Sequence, residues 1–135
     1  MSKKGEENNS ITVLLVDDEE EFVRTLSERM EIRGLEALVA LDGPQAIEAL
    51  NTGPLPDVMV LDLRMPGMDG MEVLEYVKKH KPEIEVIVLT GHGSEKDEQQ
   101  AMRLGAFDYL QKPVGLDTLV NRISKAYRQK ICQDT

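Results

Sequence analysis

VLLVDDEEEF, residues 13–22, runs four apolar residues straight into five consecutive carboxylates. The two halves ask for opposite surroundings. The β-branched and leucine run, which begins at Ile11, reads as a strand buried on both faces. The row of acids needs water or a cation, because like charges repel and a carboxylate beside an apolar wall is costly to desolvate. Either the acids are solvated at a helix start or some of them hold a cation. Which of the two applies depends on what the rest of the chain brings to the same place.

Working outward, residues 19–33 carry Phe22, Leu26 and Met30 at a spacing of four, which predicts an amphipathic helix ended by Gly34. Residues 35–40 (LEALVA) form a short strand nearer a sheet edge, and residues 43–51 a short helix closed by NTGPLP. Residues 57–63 (DVMVLDL) are a third strand whose apolar run is broken by Asp62, followed by the loop RMPGMDG. A third helix covers 70–80, with Met71, Leu74 and Val77 on one side and Pro82 as its stop. Residues 84–90 (IEVIVLT) are a fourth strand, GHGS its loop, and 95–104 a polar helix with Ala101 and Leu104 inward. Residues 106–110 (AFDYL) are a fifth strand. Residues 116–131 are a last helix with Leu116, Leu119, Val120, Ile123 and Tyr127 inside. Five strand–helix units imply a parallel sheet with helices on both faces and right-handed crossovers.

The chain has 135 residues, enough for one domain with one core, and its 41% hydrophobic and 30% charged content is that of a soluble globular protein. With no Trp and 4% aromatics, that core is built from Val, Leu, Ile, Met and Ala. No apolar run approaches the ~20 residues of a membrane span, and none follows the basic residues at the start as in a signal peptide. The sequence therefore predicts a cytoplasmic protein that does not engage membranes. A single cysteine, Cys132, excludes an internal disulfide and reads as an inert thiol near the end. Sixteen basic against 25 acidic residues give a net charge of −9, which disfavours direct nucleic-acid binding and suits a divalent metal or a basic partner. Residues 1–10 read as a disordered tail, 11–131 as the folded domain and 132–135 as a short tail. His80 falls at a helix end, where partial positive charge is favoured.

In an open parallel sheet the ligand site lies beyond the carboxyl ends of the strands. The first strand ends in Asp17 and Asp18, the third reaches Asp62, the fourth ends in Thr90, and Lys112-Pro113 follows the fifth. If strands 1, 3, 4 and 5 are neighbours in that order, three carboxylates, a hydroxyl and an ammonium meet at one rim. Three clustered carboxylates need compensation, either by a proton on one of them or by a divalent cation. Mg²⁺ suits oxygen ligands of this kind, and a metal beside a carboxylate and a lysine suits phosphoryl transfer. The carboxylate can itself be the nucleophile. Glu19 to Glu21 then fall in a first helical turn, where the macrodipole favours negative charge.

The ordered set LLVDDEEEF, DVMVLDLRMPGMDG, VIVLTGHGS and AFDYLQKP resembles the receiver domain of two-component response regulators, over about residues 11–131. The resemblance implies a flavodoxin-like (βα)5 fold with strand order 2-1-3-4-5. It implies Asp62 as phosphoacceptor. Asp18 would be a direct ligand of Mg²⁺ (or Mn²⁺), with Asp17 assisting through water, and Asp62 and the backbone carbonyl of Arg64 would also ligate it. Thr90 and Lys112 would contact the phosphoryl group, Tyr109 would be the switch aromatic, and a cis peptide would precede Pro113. Arg64 and His92, two residues after Asp62 and Thr90, border the path of the attacking water and would tune dephosphorylation.

The implied activity is a signalling switch rather than a turnover enzyme. The phosphoryl donor would be a sensor histidine kinase or a histidine phosphotransfer protein. Phosphorylation would draw Thr90 toward the phosphoryl group, Tyr109 would move inward, and the face of the fourth helix, fifth strand and fifth helix would change. That face would then dock a target, control an output domain absent from this sequence, or pair two copies of the chain. Three other readings fit these residues less well. A haloacid-dehalogenase-type phosphatase needs an acid where Arg64 stands. A flavin binder needs a phosphate loop where VDDEEE would repel the phosphate. A receiver that only docks would lack part of the core set, and nothing of that set is missing.

Overall fold

Strands β1 (Thr12–Val16), β2 (Glu36–Ala40), β3 (Val58–Leu61), β4 (Glu85–Thr90) and β5 (Asp108–Gln111) lie parallel in the order β2-β1-β3-β4-β5. This is the expected arrangement, seen in a computed structural model that describes residues 11–133. Helices α1 (Glu20–Ile32), α2 (Gly43–Thr52), α3 (Gly70–His80), α4 (Glu95–Arg103) and α5 (Leu116–Gln133) follow the strands in turn. The expected tail over residues 1–10 lies outside the described residues, as do residues 134–135.

The central strands read as continuous apolar runs because each feeds two cores. Leu14 and Val16 of β1 pack with Ala46 and Leu50 of α2 and Val73, Leu74 and Val77 of α3. Val13 and Leu15 point the other way, toward Val23 and Met30 of α1 and Leu119, Ile123 and Ala126 of α5. Edge strand β2 instead alternates exposed and half-buried positions until Ala40. Loop chemistry fixes the helix starts. Asp69 with Glu72 and Ser94 with Asp97 form capping boxes at α3 and α4, and Asp42 accepts from the Gln45 amide at α2.

Two expectations about faces and ends change. Phe22, placed on the inner stripe by its spacing, is 37% exposed, and its neighbour Val23 takes the buried position. The stripe of α1 runs Val23, Leu26, Met30, so Phe22 sits on its flank. The last helix continues through Gln133, so the expected break after residue 131 is absent and exposed Cys132 lies within its final turn. Lys130 holds that turn against Asp57, 3.4 Å away.

Register aligns the strand tips. Val16 pairs with Ala40 and with Leu61, Leu61 pairs with Val88, and Thr90 pairs with Gln111. The chain therefore leaves β1, β3, β4 and β5 along one edge of the sheet, with Asp17, Asp62, Thr90 and Lys112 as the departing residues.

Candidate functional site: an acidic rim with one lysine

At that edge the backbone still bonds sideways while the side chains turn to the rim. The Asp17 amide donates to the Ala40 carbonyl, that of Asp62 to Val16, and that of Lys112 to Thr90. These bonds pin three side chains from distant parts of the chain. Asp17 and Asp62 are buried, Asp18 is exposed, and one carboxylate oxygen from each lies within 4.8 Å of the others. Gly70 permits the close turn behind them. A Cβ there would lie 2.3 Å from the Asp62 carbonyl oxygen, and its amide donates to Leu63 at 2.9 Å.

The Lys112 ammonium donates to Asp17 Oδ2 at 2.7 Å and to Glu19 Oε1 at 2.8 Å, and lies 3.8 Å from Asp62 Oδ2. It also sits 4.4 Å from the centroid of the Phe22 ring, a cation–π contact. Lys112-Pro113 is a cis peptide, as expected. Burial pushes the Asp17 carboxyl up, against the bonds it accepts from Lys112 and the Glu19 amide, which pull it down. Lys112 itself is pulled down by burial, but its bonds to Asp17 and Glu19 outweigh this and leave it above the ordinary lysine value. Its hydrogen bond holds Glu19 below the usual carboxylate range.

Glu19, Phe22 and Asp97 are part of this neighbourhood and were not singled out from the sequence. The sequence places Glu19 with Glu20 and Glu21 in a first helical turn, favoured by the macrodipole. It is the N-cap residue of α1, makes no side-chain cap, and turns its carboxylate to Lys112 instead. Its position two residues after Asp17, whose Oδ1 accepts the Glu19 amide at 2.9 Å, is the only local signal. Arg64 donates its amide weakly to Asp62 Oδ1 at 3.4 Å, but its guanidinium points away to Asp97 of α4 at 3.6 Å. His92 is exposed, and its amide lies 3.4 Å from the Thr90 hydroxyl, which accepts.

Thr90 is fully buried. Tyr109 is 9% exposed, its ring already inside, and burial pushes its phenol up.

Chemically, this rim offers hard oxygen donors, one ammonium and one buried hydroxyl. The carboxylates match what a small divalent cation requires, and the ammonium and hydroxyl suit a phosphoryl oxygen. A groove of about 420 Å³, lined by Phe22, Leu26, Leu89, Val114 and Leu119, opens beside the rim between α1 and α5. Among the described residues no helix is long and apolar enough to cross a membrane.

Comparison with known proteins agrees with this architecture. The chain is 37% identical over 114 residues to the C4-dicarboxylate transport transcriptional regulatory protein DctD of Pseudomonas aeruginosa, covering 84% of this chain and 24% of that protein. It is equally similar, 37% over 117 residues, to the transcriptional regulatory protein GlrR of Escherichia coli, covering 87% of this chain and 26% of that protein. The chain thus spans about a quarter of the length of these curated relatives. A response regulator receiver domain protein from Clostridium thermocellum superposes with a TM-score of 0.86 at 34% identity, covering 91% of this chain and 98% of that one. The family described as the response regulator receiver domain matches residues 13–124, a span that holds Asp17, Asp18, Asp62, Thr90 and Lys112, and the chain belongs to that family.

Proposed function

We propose that this chain is a phosphoacceptor switch in which Asp62 takes a phosphoryl group from a phosphohistidine. The observation that carries this reading is the meeting of the Asp17, Asp18 and Asp62 carboxylate oxygens within 4.8 Å, with a single ammonium beside them. An Asp62 oxygen attacks phosphorus, an O–P bond forms, and the N–P bond of the donor imidazole breaks with its electron pair returning to nitrogen. Asp18, Asp17, Asp62 and the Arg64 carbonyl would hold Mg²⁺ (or Mn²⁺), which when bound would neutralise charge on the carboxylates and on the phosphoryl oxygens. Lys112 pairs with one phosphoryl oxygen and the Thr90 hydroxyl donates to another.

The donor is a sensor histidine kinase or a histidine phosphotransfer protein, and the groove between α1 and α5, where Glu21 and Arg29 flank apolar Phe22 and Leu26, offers it a docking surface. Phosphorylation draws Thr90, and Tyr109 stabilises the new position. The α4–β5–α5 face then changes its contacts with a downstream target, an attached output domain or a second copy of the chain. Residues 11–131 form the receiver unit, working in the cytoplasm without itself binding nucleic acid. Arg64, tied to Asp97, and exposed His92 flank the approach to Asp62 and tune hydrolysis of the phosphoryl group. An unchanged dephosphorylation rate in both Arg64→Ala and His92→Ala would remove that role.

The test of the main reading is intact mass after incubation with acetyl phosphate, with and without Mg²⁺. Wild type gains a labile adduct of roughly 80 Da, the mass of the phosphoryl group, only with Mg²⁺, and Asp62→Asn gains none. An adduct that persists in Asp62→Asn would move the phosphoacceptor elsewhere.

A further inference from the structure

We propose that Gly93 is the seat of Tyr109: the ring lies inward because residue 93 has no side chain, and the seat leaves the phenol hydroxyl without a partner. Three observations carry this. The Tyr109 hydroxyl is buried and is the only buried side-chain polar atom among the described residues with no hydrogen-bond partner. A Cβ built on Gly93 would lie 1.5 Å from that oxygen and 2.8 Å from Tyr109 Cζ. The same Cβ would lie 2.9 Å from Thr90 Cγ2. Carbon contacts are optimal at about 3.5–4.0 Å, so no L-residue with a side chain shares this space with the inward ring.

The two halves of the seat oppose each other. Burying the ring is favourable, while stripping water from a hydroxyl that finds no acceptor is costly. The inward state is thereby allowed but held near balance, which is what a two-state element needs in order to be tipped by a modest bias. Thr90 forms another wall of the same space, so any displacement of Thr90 alters the room available to the phenol. This second link rests on the reading of Asp62 as phosphoacceptor. The seat itself does not.

The test uses the chain labelled at tyrosine Cζ with carbon-13, in the absence of any phosphoryl donor. Tyr76, Tyr109 and Tyr127 give three resonances, with Tyr109 assigned by Tyr109→Phe. In wild type the Tyr109 phenol titrates above the ordinary tyrosine value, because it is buried. In Gly93→Ala the ring is expelled and that titration returns to the ordinary range. An unchanged Tyr109 titration in Gly93→Ala overturns the proposal. Tyr109→Phe, which keeps the ring and removes the unpartnered hydroxyl, raises the folding equilibrium constant about tenfold, read from urea unfolding and equal to about 1.4 kcal/mol. Equal or lower stability shows that the hydroxyl has a partner and overturns the second half.

Coupling is read with beryllofluoride and Mg²⁺. Gly93→Ala weakens beryllofluoride binding severalfold, and the loss disappears in a Tyr109→Ala background. A loss of the same size in both backgrounds shows that Gly93 does not act through Tyr109. Acetyl phosphate labelling of wild type stands apart from these arms. If it gives no adduct, the phosphoacceptor reading fails while the carbon-13 titration still decides the seat.

Discussion

At the carboxyl end of the sheet a single ammonium, Lys112, faces Asp17, Glu19 and Asp62, whereas at the amino end Glu85 and Asp57 each lie beside a lysine. There Glu85 lies 3.9 Å from Lys78, and Asp57 lies 3.4 Å from Lys130. The amino-end groups are also tied to backbone. Lys78 donates to the Pro82 and Ile84 carbonyls at 3.1 and 2.7 Å, and Asp57 accepts from the Thr12 amide at 2.9 Å. These two amino-end acids are matched by lysines. At the carboxyl end charge is left in surplus and open to solvent through Asp18. The difference separates charge paired off within the fold from carboxylates that share one lysine, although both are partly buried in the same sheet.

The largest effect that could break this comparison lies at the amino end. Lys78→Met leaves Glu85, 6% exposed, without its base, and the expected cost is about 3–5 kcal/mol in urea unfolding. Lys78→Met with Glu85→Leu returns to wild-type stability or exceeds it by about 1–4 kcal/mol, since a buried pair repays its desolvation poorly. Acetyl phosphate labelling survives both changes.

Next in size is metal linkage at the carboxyl end. Magnesium at a hundredfold excess over its dissociation constant stabilises wild type by about 2.7 kcal/mol, and Asp18→Asn loses most of that gain. Thermal melting with magnesium and with EDTA measures both. A gain undiminished in Asp18→Asn would mean that the surplus carboxylates are not the binding device.

The smallest effect is a pH slope. Burial pushes Glu85 up from its ordinary value of 4.5, so the folded chain keeps a proton that the unfolded chain has released. Stability is therefore lost as pH rises from about that value through the folded pKa. Lys78 is pulled down from 10.5 by burial, so stability from that group is lost as pH falls below 10.5 toward its folded pKa. Urea midpoints recorded from pH 4 upward should decline over the Glu85 window, and Glu85→Gln should flatten that decline. A decline of the same steepness in Glu85→Gln would assign it to other groups.

How much of this was legible in the sequence depended on whether a residue's role is set by its own segment. Helix α3 falls at residues 70–80 as expected, because Gly70 and Pro82 punctuate it locally. β1 and β4 read as buried because uninterrupted β-branched runs suit no exposed strand. Asp62 stood out as the acid that breaks the apolar run of the third strand near its carboxyl end. Glu19, by contrast, was indistinguishable from Glu20 and Glu21, since its value lies in Lys112, 93 residues away. Phe22 matched the helical spacing yet serves as a platform for the same lysine. Gly93 looked like one more loop glycine, and its meaning depends on where a ring from β5 arrives. Spacing reports which way a helix faces, but not what crosses from another strand to meet it.

The matched charge at the amino end has a mechanical consequence. Helix α5 has 18 residues, about 27 Å of length, and begins four residues after Lys112 at the acidic rim. Its far end is held by Lys130 on Asp57, which itself grips the start of β1 through the Thr12 amide. A rod fixed at one end and touched at the other behaves as a lever with its fulcrum at the fixed end. By simple geometry, a shift of about 2 Å at Leu116 swings this rod by about 5° about Lys130, roughly 21 Å away along the helix. In the proposed switch, the Lys130–Asp57 pair would set the pivot about which the α5 surface turns.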